Sequence, residues 1–205
     1  MYPLIRKLLP THYLPHIGTM KKCFSDEELD RILFFEKILE FKPARTLQDL
    51  EDGEAAETYR VTDMAHMPID QNTEWLWQRI AELTAKANYD LFLYDIEFLE
   101  SISMLVYYGS KGGKYDPHRD SSLHGYSPKD RKISGIVMLS DPEDYEGGKL
   151  KIDIEGSWNP DHLAEMELEK GDVLFFDSNM SHCVEPLTKG IRKVLVFWAQ
   201  GTYKL

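Results

Sequence analysis

Apolar residues recur at helical spacing in two segments of the N-terminal half. Ser25 and Glu28 form a capping-box pattern, and the apolar stripe after them predicts a helix over about 26–41 that ends before Pro43. A second stripe predicts a helix over about 73–87, and it consists of Leu76, Ile80, Leu83 and Ala87. Both stripes are typical of helices that pack one face on a core.

From Phe98 onward the pattern changes to short runs of β-branched and aromatic residues separated by turn residues. These runs predict strands over 101–108, 115–120, 132–140, 148–154, 165–169, 172–178, 181–186 and 191–199. Such closely spaced short strands are typical of a β-sandwich or jelly roll. Helices followed by strands therefore predict an α+β chain, mainly β, whose sheets are buttressed by the N-terminal helices.

The sequence contains no internal repeat and no linker that would separate its halves. Its 205 residues lie at the upper end of one ordinary domain. We expect a single domain over 1–205, with a mostly helical supporting part over 1–97 and a β-rich core over 98–205. Segments 46–66 and 121–131 are expected to be loops that flank the mouth of the β structure.

Charge and composition restrict the possible partners. Lys and Arg number 24 against 35 Asp and Glu, and the net charge of -11 disfavours nucleic acids and anionic membranes. Two cysteines are too few for a disulfide framework or a cysteine-based zinc site. No segment has the apolar run of a secretion signal or of a membrane span. We therefore expect a soluble, cytoplasmic protein.

The candidate chemistry lies in His118, Asp120 and His182. His118 and Asp120 are two residues apart, so both side chains point to one face of a strand. If His182 on a later strand faces the same interior, two imidazoles and a carboxylate bind one side of a metal ion. The opposite positions then stay open, as in non-haem Fe(II) oxygenases. Because such a pattern also occurs by chance, the surrounding residues decide its meaning.

Arg192 adds a guanidinium to this set. Turn residues separate it from His182, which predicts that the two residues lie on neighbouring strands of a hairpin. An odd-numbered loop centred on Thr188 pairs Val184 with Arg192 and puts Arg192 and His182 on one face. Their expected separation is about 7 Å, which suits a short dicarboxylate held between a metal ion and the guanidinium.

Further motifs surround these residues in a fixed order over roughly 95–200. They are Tyr108-Gly109, Gly112-Gly113-Lys114-Tyr115 before His118-Arg119-Asp120, the Leu139–Leu150 segment with its Tyr145-Glu146-Gly147-Gly148 turn, Gly171–Phe176, and Pro186, Gly190, Arg192 and Trp198 after His182. With these motifs the chain resembles the Fe(II)/2-oxoglutarate-dependent dioxygenases. Within them it is most similar to the prolyl 4-hydroxylase-like group in its small bacterial and phage form.

The resemblance implies a double-stranded β-helix, the cupin-like jelly roll, for the core. It implies three sets of site residues, namely His118, Asp120 and His182 as Fe(II) ligands, Arg192 and Tyr108 as cosubstrate-binding residues, and Tyr115 and Trp198 as residues that line the active site. Arg192 would bind the distal carboxylate of 2-oxoglutarate. Met138 stands where certain animal relatives have a second cosubstrate-binding tyrosine, so that hydrogen bond is in question here.

The resemblance also implies the reaction. The enzyme would use Fe(II), O2 and 2-oxoglutarate, with ascorbate as an accessory reductant, and would release succinate and CO2. It would hydroxylate an amino-acid side chain, and a prolyl residue of a peptide or protein is the leading substrate. No catalytic group is expected beyond the metal centre.

Several other interpretations stay open. The same chemistry could act on a free amino acid or another small molecule, whereas a nucleic-acid demethylase is disfavoured by the charge. A non-catalytic jelly-roll binding module with a closed, four-ligand metal site is the alternative from another class. Among single residues, Arg192 could pair with a surface carboxylate, Trp198 could belong to the core, and only one of Tyr107 and Tyr108 can face the site.

Other polar residues receive simpler interpretations. Alternation turns Cys183 away from the proposed site. The run Asp141–Glu146 is expected to be a solvated turn, although it could attract a basic peptide. The remaining histidines give no sign of a second metal site, and three of them, His66, His124 and His162, are expected in exposed loops.

Overall fold

Two antiparallel sheets face each other in this computed structural model, which describes residues 17–44, 59–121, 130–155 and 163–202. The strands are β1 (Ile17–Met20), β2 (Lys42–Pro43), β3 (Arg60–Val61), β4 (Asp63–His66), β5 (Asp95–Tyr108), β6 (Lys114–His118), β7 (Asp130–Met138), β8 (Tyr145–Gly147), β9 (Leu150–Ile152), β10 (Ala164–Met166), β11 (Val173–Asp177), β12 (His182–Val184) and β13 (Leu187–Thr202). None of the helices in these ranges is long and apolar enough to span a membrane.

The larger sheet has the strand order β1-β11-β7-β13-β5-β4-β2, and β8 also pairs with β13. Strand β13 pairs with both β5 and β7. Its side chains alternate between two apolar clusters, because Leu195 and Phe197 pack with the helices while Val194 packs with the smaller sheet. This sheet is therefore covered on both faces.

The smaller sheet has the order β10-β9-β12-β6-β3. In its centre His182 lies opposite His118 on β6 and opposite Ile152 on β9. One rung along, Val184 lies opposite Tyr115, and a bulge separates the two rungs. Two facing antiparallel sheets with helices outside them confirm the predicted mainly β jelly roll.

Helix α1 (Asp26–Phe34) is shorter than predicted. The capping box is present, since Ser25 Oγ accepts from the Glu28 amide at 3.2 Å and the Glu28 carboxylate accepts from the Ser25 amide at 2.8 Å. A 3₁₀ turn over 35–37 then ends the helix, and the chain continues into β2. The predicted end near residue 41 was wrong, because the backbone that follows the 3₁₀ turn forms β2 and pairs with β4.

Helix α2 (Glu74–Ala87) confirms the second helix within one residue, and a π-helical segment over 88–92 extends it. Leu76 and Ile80 on its inner face are fully buried. They share one apolar cluster with Ile32 of α1 and with Phe175 and Phe197 of the larger sheet. The helices therefore buttress the outer face of that sheet.

The N-terminal half also contributes strands that the pattern did not predict. Strands β1, β2 and β4 join the larger sheet, and β3 joins the smaller one. Each has two to four residues, too few to show alternation, so sheet pairing decides their structure. The mostly helical description of residues 1–97 was therefore incomplete.

The predicted hairpin between His182 and Arg192 was wrong. Strand β12 belongs to the smaller sheet and β13 to the larger sheet. The two residues between them, Glu185 and Pro186, carry the chain from one sheet to the other. Strand β13 begins at Leu187, four residues before the predicted start, so Thr188 lies within it rather than in a loop. His182 and Arg192 therefore face each other across the sandwich.

Asp172 ties β1 to the start of β11. Its fully buried carboxylate accepts hydrogen bonds from Lys21 Nζ at 2.7 Å, from the Lys22 amide at 3.0 Å and from the Glu169 amide at 2.8 Å. Burial by itself raises the pKa of this carboxyl, but these donors outweigh burial, and the pKa lies below its ordinary value.

Replacement of Asp172 by Asn should therefore lower the free energy of unfolding by about 2 kcal/mol at neutral pH. Because the pKa of Asp172 is lowered on folding, its contribution is complete at neutral pH and is lost as the pH falls through the lowered pKa. Urea unfolding at neutral and acidic pH measures both effects. Lys21→Met, which removes an exposed partner, should cost under about 1 kcal/mol. A difference between Asp172→Asn and wild type that does not shrink in acid would contradict this account.

Candidate metal centre

A cavity of about 610 Å³ lies between the two sheets. The smaller sheet lines it from β3, β6, β9 and β12, and the larger sheet lines it from β4, β5, β7, β11 and β13. Its lining combines apolar side chains with charged groups, among them Asp120 and Arg192. This combination is typical of a small-molecule binding site.

His118, Asp120 and His182 converge on the wall of this cavity. His118 Nε2 lies 3.7 Å from Asp120 Oδ1, and His182 Nε2 lies 3.5 Å from Asp120 Oδ2. One ligand atom from each side chain falls within 4.8 Å of the other two. The predicted convergence is therefore confirmed, and the spacing suits three ligands of one metal ion.

Main-chain carbonyls orient both imidazoles. His118 Nδ1 lies 2.9 Å from the carbonyl oxygen of Asp116, and His182 Nδ1 lies 3.1 Å from that of Met180. Because a carbonyl oxygen only accepts, each Nδ1 carries the proton and donates. Each Nε2 therefore presents its lone pair to the metal position.

Two side chains of the larger sheet orient the carboxylate of Asp120. Ser134 Oγ donates to Asp120 Oδ2 at 2.7 Å, and it also lies 2.9 Å from Ser178 Oγ. The indole of Trp198 lies close to Asp120 and, like Ser134, lowers the pKa of its carboxyl. Asp120 lies in a bend two residues beyond the end of β6, so the predicted strand over 115–120 ends earlier than expected. Its carboxylate nevertheless reaches the cavity between the two sheets, next to Ser134 and Trp198.

These surroundings hold His118 and Asp120 in the protonation states that metal binding requires. Burial, followed by the neighbouring His182, lowers the pKa of His118 to about 3. Burial would raise the pKa of Asp120, but His182, His118 and the two hydrogen-bond donors outweigh burial and lower it. A neutral imidazole and an ionised carboxylate are the ligand forms that bind a divalent cation.

Tyr115 and Trp198 both line the cavity, as predicted. The ring of Tyr115 stacks on His118 with 3.4 Å between centroids, and Phe176 meets the His182 ring edge-on at 4.7 Å. These aromatic contacts fix the rotation of both imidazoles.

A chain of polar contacts supports Trp198. The guanidinium of Arg131 lies 4.1 Å from the indole centroid. Glu100 binds that guanidinium through Nε at 2.8 Å and through Nη2, and Gln200 Nε2 donates to Glu100 at 2.7 Å. Trp198 is therefore held in place between this network and Asp120.

Arg192 enters the same cavity from the larger sheet. It is 1% exposed, its Nε has no hydrogen-bond partner, and no ion pair joins it to the described acidic residues. Its guanidinium carbon lies 5.5 Å from the ring centroid of Tyr107. A buried, unpaired cation is costly, so this position is suited to the carboxylate of a ligand.

The prediction for Tyr108 was wrong about the face of the strand. Tyr107, which is fully buried, lines the cavity beside Arg192, whereas Tyr108 packs with the cluster on the helix side. Strand alternation forces this choice once one of the two residues faces inward. Cys183 is absent from the cavity lining, in agreement with its predicted orientation.

Sequence reasoning missed Arg60 and Ser134, and it placed His66 in a loop. Arg60 lies on the two-residue β3, whose pairing with β6 only the structure reveals. Ser134 lies on the predicted strand β7, but no pattern in the sequence brings it next to Asp120. His66 is exposed at the cavity on β4, with Nδ1 2.8 Å from Ser103 Oγ. Residues 122–129 of the predicted loop 121–131, which include His124, lie outside the described residues. His162 lies outside them as well.

The donor set fits a catalytic Fe(II) ion better than a structural zinc ion. Among the described residues the cluster contains two nitrogen ligands and one carboxylate. A structural zinc site uses four protein ligands, whereas three ligands on one side leave room for other molecules. The unpaired Arg192 in the same cavity agrees with a bound dicarboxylate.

Comparison with known sequences identifies the same region. Residues 102–200 match the 2OG-Fe(II) oxygenase superfamily. The PKHD-type hydroxylase PiuC of Pseudomonas aeruginosa is 29% identical over 188 residues, which cover 87% of this chain and 75% of PiuC. A PKHD-type hydroxylase of Gloeothece citriformis is 39% identical over 90 residues, which cover 44% of this chain and 39% of that protein.

Solved structures share the fold. A prolyl-4-hydroxylase of Pseudomonas putida superposes with a TM-score of 0.68 at 19% identity and covers 94% of this chain and 95% of that protein. A prolyl hydroxylase from Trichoplax adhaerens, in complex with a hypoxia inducible factor peptide fragment, superposes with a TM-score of 0.70 at 18% identity. That match covers 91% of this chain and 84% of the other.

The hydrogen bond from Ser134 provides a test of the metal centre. Ser134→Ala should weaken metal binding about tenfold or more, because the carboxylate of Asp120 loses the donor that orients it. Calorimetric titration with Co(II), which resists oxidation in air, measures the affinity. Ser103→Ala is the control, since this buried serine of the same sheet contacts His66 instead of Asp120. Equal affinities for wild type and Ser134→Ala would argue against a metal ion at Asp120.

Proposed function

We propose that the chain is an oxygenase of the 2OG-Fe(II) superfamily, within its prolyl 4-hydroxylase-like group, and that it hydroxylates a prolyl residue of a peptide or protein. One observation carries the proposal. The triad of His118, Asp120 and His182 shares one cavity with the buried, unpaired Arg192. A metal-binding triad and a carboxylate-binding guanidinium in one cavity are what a 2-oxoglutarate-dependent reaction needs.

Each protein group has a definite task in this reaction. His118, Asp120 and His182 would hold Fe(II) on one side, and Arg192 would bind the distal carboxylate of 2-oxoglutarate by charge-assisted hydrogen bonds. When bound, Fe(II) with 2-oxoglutarate and O2 supplies the oxidising chemistry that converts a C–H bond to C–OH and yields succinate and CO2. Ascorbate would serve as an accessory reductant.

The remaining residues fix geometry and exclude water. Ser134 and Trp198 keep the Asp120 carboxylate in one orientation, and Tyr115 does the same for the His118 ring. Tyr107, rather than Tyr108, is the tyrosine beside the cosubstrate-binding guanidinium. The apolar walls of the cavity limit the access of water to a reactive centre.

The names of similar proteins support a prolyl substrate. The aligned relatives are hydroxylases, and two structural neighbours are prolyl hydroxylases, one of them in complex with a peptide fragment. We extend the proposal to a single domain over 1–205, a peptide, protein or amino-acid partner rather than a nucleic acid or membrane, and a cytoplasmic location. The free thiols of Cys23 and Cys183 agree with a reducing compartment.

Anaerobic addition of Fe(II) and 2-oxoglutarate should produce the weak visible absorption of a 2-oxo acid bound to iron. His182→Ala should abolish it, because a metal ligand is lost. Arg192→Met should retain metal binding but require at least about tenfold more 2-oxoglutarate, because a charged hydrogen-bond donor is lost. Lys193→Met is the control, since this neighbour pairs with Glu36 on the other face of the strand. An absorption unchanged in Arg192→Met would refute the assigned role of Arg192.

Turnover with proline-containing peptides tests the substrate. We expect succinate release coupled to a gain of one oxygen atom on proline within a peptide, and neither product with His182→Ala. Mass spectrometry of peptide and amino-acid mixtures measures the oxygen gain, and chromatography measures succinate. Succinate release coupled to oxidation of free amino acids, without oxidation of any peptide, would show that the substrate is a small molecule instead.

A further inference from the structure

Arg60 is a second cavity arginine without an anionic partner. Its guanidinium lies 4.4 Å from the ring centroid of Tyr115, and its Nη2 has only a weak contact with the Met64 sulfur at 3.9 Å. Its Nε is buried and has no hydrogen-bond partner. Within 17–44, 59–121, 130–155 and 163–202, no carboxylate forms an ion pair with it.

Two other arginines that line the cavity have polar partners, in contrast to Arg60. Arg131 is bound by Glu100 through two nitrogens, and Arg119 donates to Asn179 at 3.0 Å. Among the described residues, Arg60 and Arg192 are thus the two cavity arginines whose guanidinium groups have neither a carboxylate nor an amide partner. A 2-oxoglutarate molecule whose 2-oxo acid end binds the metal ion has one distal carboxylate, which satisfies one guanidinium. The second cation is therefore available to bind a second anion.

The sheet register places Arg60 on the β3 edge of the smaller sheet, whereas Arg192 enters the cavity from β13 of the larger sheet. One row of paired residues crosses the smaller sheet from β3 to β9. It consists of Arg60, Tyr115, Val184 and Leu150, each paired with the next. Arg192 lies at the β9 end of this row, close to Gly148. A Cβ atom added to Gly148 would lie 3.3 Å from Cδ of Arg192. The next rung holds His118 and His182 on the two central strands.

The aromatic stack connects Arg60 directly to the metal position. Its guanidinium covers one face of Tyr115, and Tyr115 stacks on the ring of His118. Arg60 is therefore separated from the metal ligand His118 by the single ring of Tyr115. A carboxylate bound by Arg60 would therefore lie next to this aromatic stack and close to the metal position.

We propose that Arg60 binds a carboxylate of the primary substrate, so that the molecule hydroxylated by this enzyme is an acid. The carboxylate is either the free carboxyl group of an amino acid or the acidic side chain next to the target residue in a peptide. This inference rests on the proposed function, because it assigns the space that 2-oxoglutarate leaves in the cavity.

Paired probes test the requirement for a carboxylate. N-acetyl-L-proline is compared with N-acetyl-L-proline methylamide, and the peptide N-acetyl-Pro-Asp-amide is compared with N-acetyl-Pro-Asn-amide. The full-length protein is loaded with Mn(II) and 2-oxoglutarate, which permits binding without turnover. Because Mn(II) is paramagnetic, enhanced relaxation of the probe protons reports binding close to the metal ion.

We expect at least one acid probe to bind about tenfold or more tightly than its neutral counterpart, as the loss of a charged hydrogen bond predicts. The pair that shows the difference identifies the source of the carboxylate. Arg60→Met should reduce the acid probe to the affinity of the neutral one, and Arg60→Lys should restore part of the difference. Arg31→Met is the matched control, since that guanidinium lies 4.1 Å from the Trp75 ring outside the cavity.

The relaxation of the 2-oxoglutarate protons distinguishes a failure of the proposed function from a failure of the role assigned to Arg60. If 2-oxoglutarate protons are not relaxed in wild type, the proposed function fails. If they are relaxed, but acid and neutral probes bind equally or no acid probe binds, the role of Arg60 is overturned. Arg60→Gln serves as a second variant if the thermal unfolding midpoint shows that Arg60→Met does not fold.

Discussion

The pairing of β6 with β12 is the constraint on which the site depends. It sets His118 opposite His182, so that imidazoles from distant parts of the sequence point to the same face of the smaller sheet. A slip of one residue would turn one of them to the opposite face. Carbonyl oxygens then fix each Nδ1, and aromatic neighbours fix each ring plane. The metal position is thus built by sheet register before any ion binds.

Charge is distributed unevenly between the surface and the cavity. The chain has a net charge of -11, yet four arginines line the cavity against the carboxylates of Glu100 and Asp120. Outside, two carboxylates of the acidic run are paired with lysines, Asp141 with Lys170 and Glu146 with Lys189. The cavity therefore favours anionic ligands within a protein that repels them over most of its surface. This separation explains how an acidic protein can bind a dicarboxylate.

The route from His182 to Arg192 shows where sequence reasoning succeeded and where it failed. Parity along a hairpin predicted that both residues face one interior, and both do line one cavity. The hairpin does not exist, because the chain passes from the smaller sheet to the larger one between β12 and β13. Alternation within a strand is a local property, whereas the assignment of strands to sheets depends on contacts across the whole chain.

The sequence by itself determined the local features of this protein. These are the capped first helix, the amphipathic second helix and most strands of the core, all of which depend on neighbouring residues. Tertiary structure decided which strands pair, and with that the choice of Tyr107 over Tyr108, the hydrogen bond from Ser134, and the place of Arg60 on a two-residue strand. The physical reason is that burial and pairing of these groups depend on segments far away in the chain, which no local periodicity can encode.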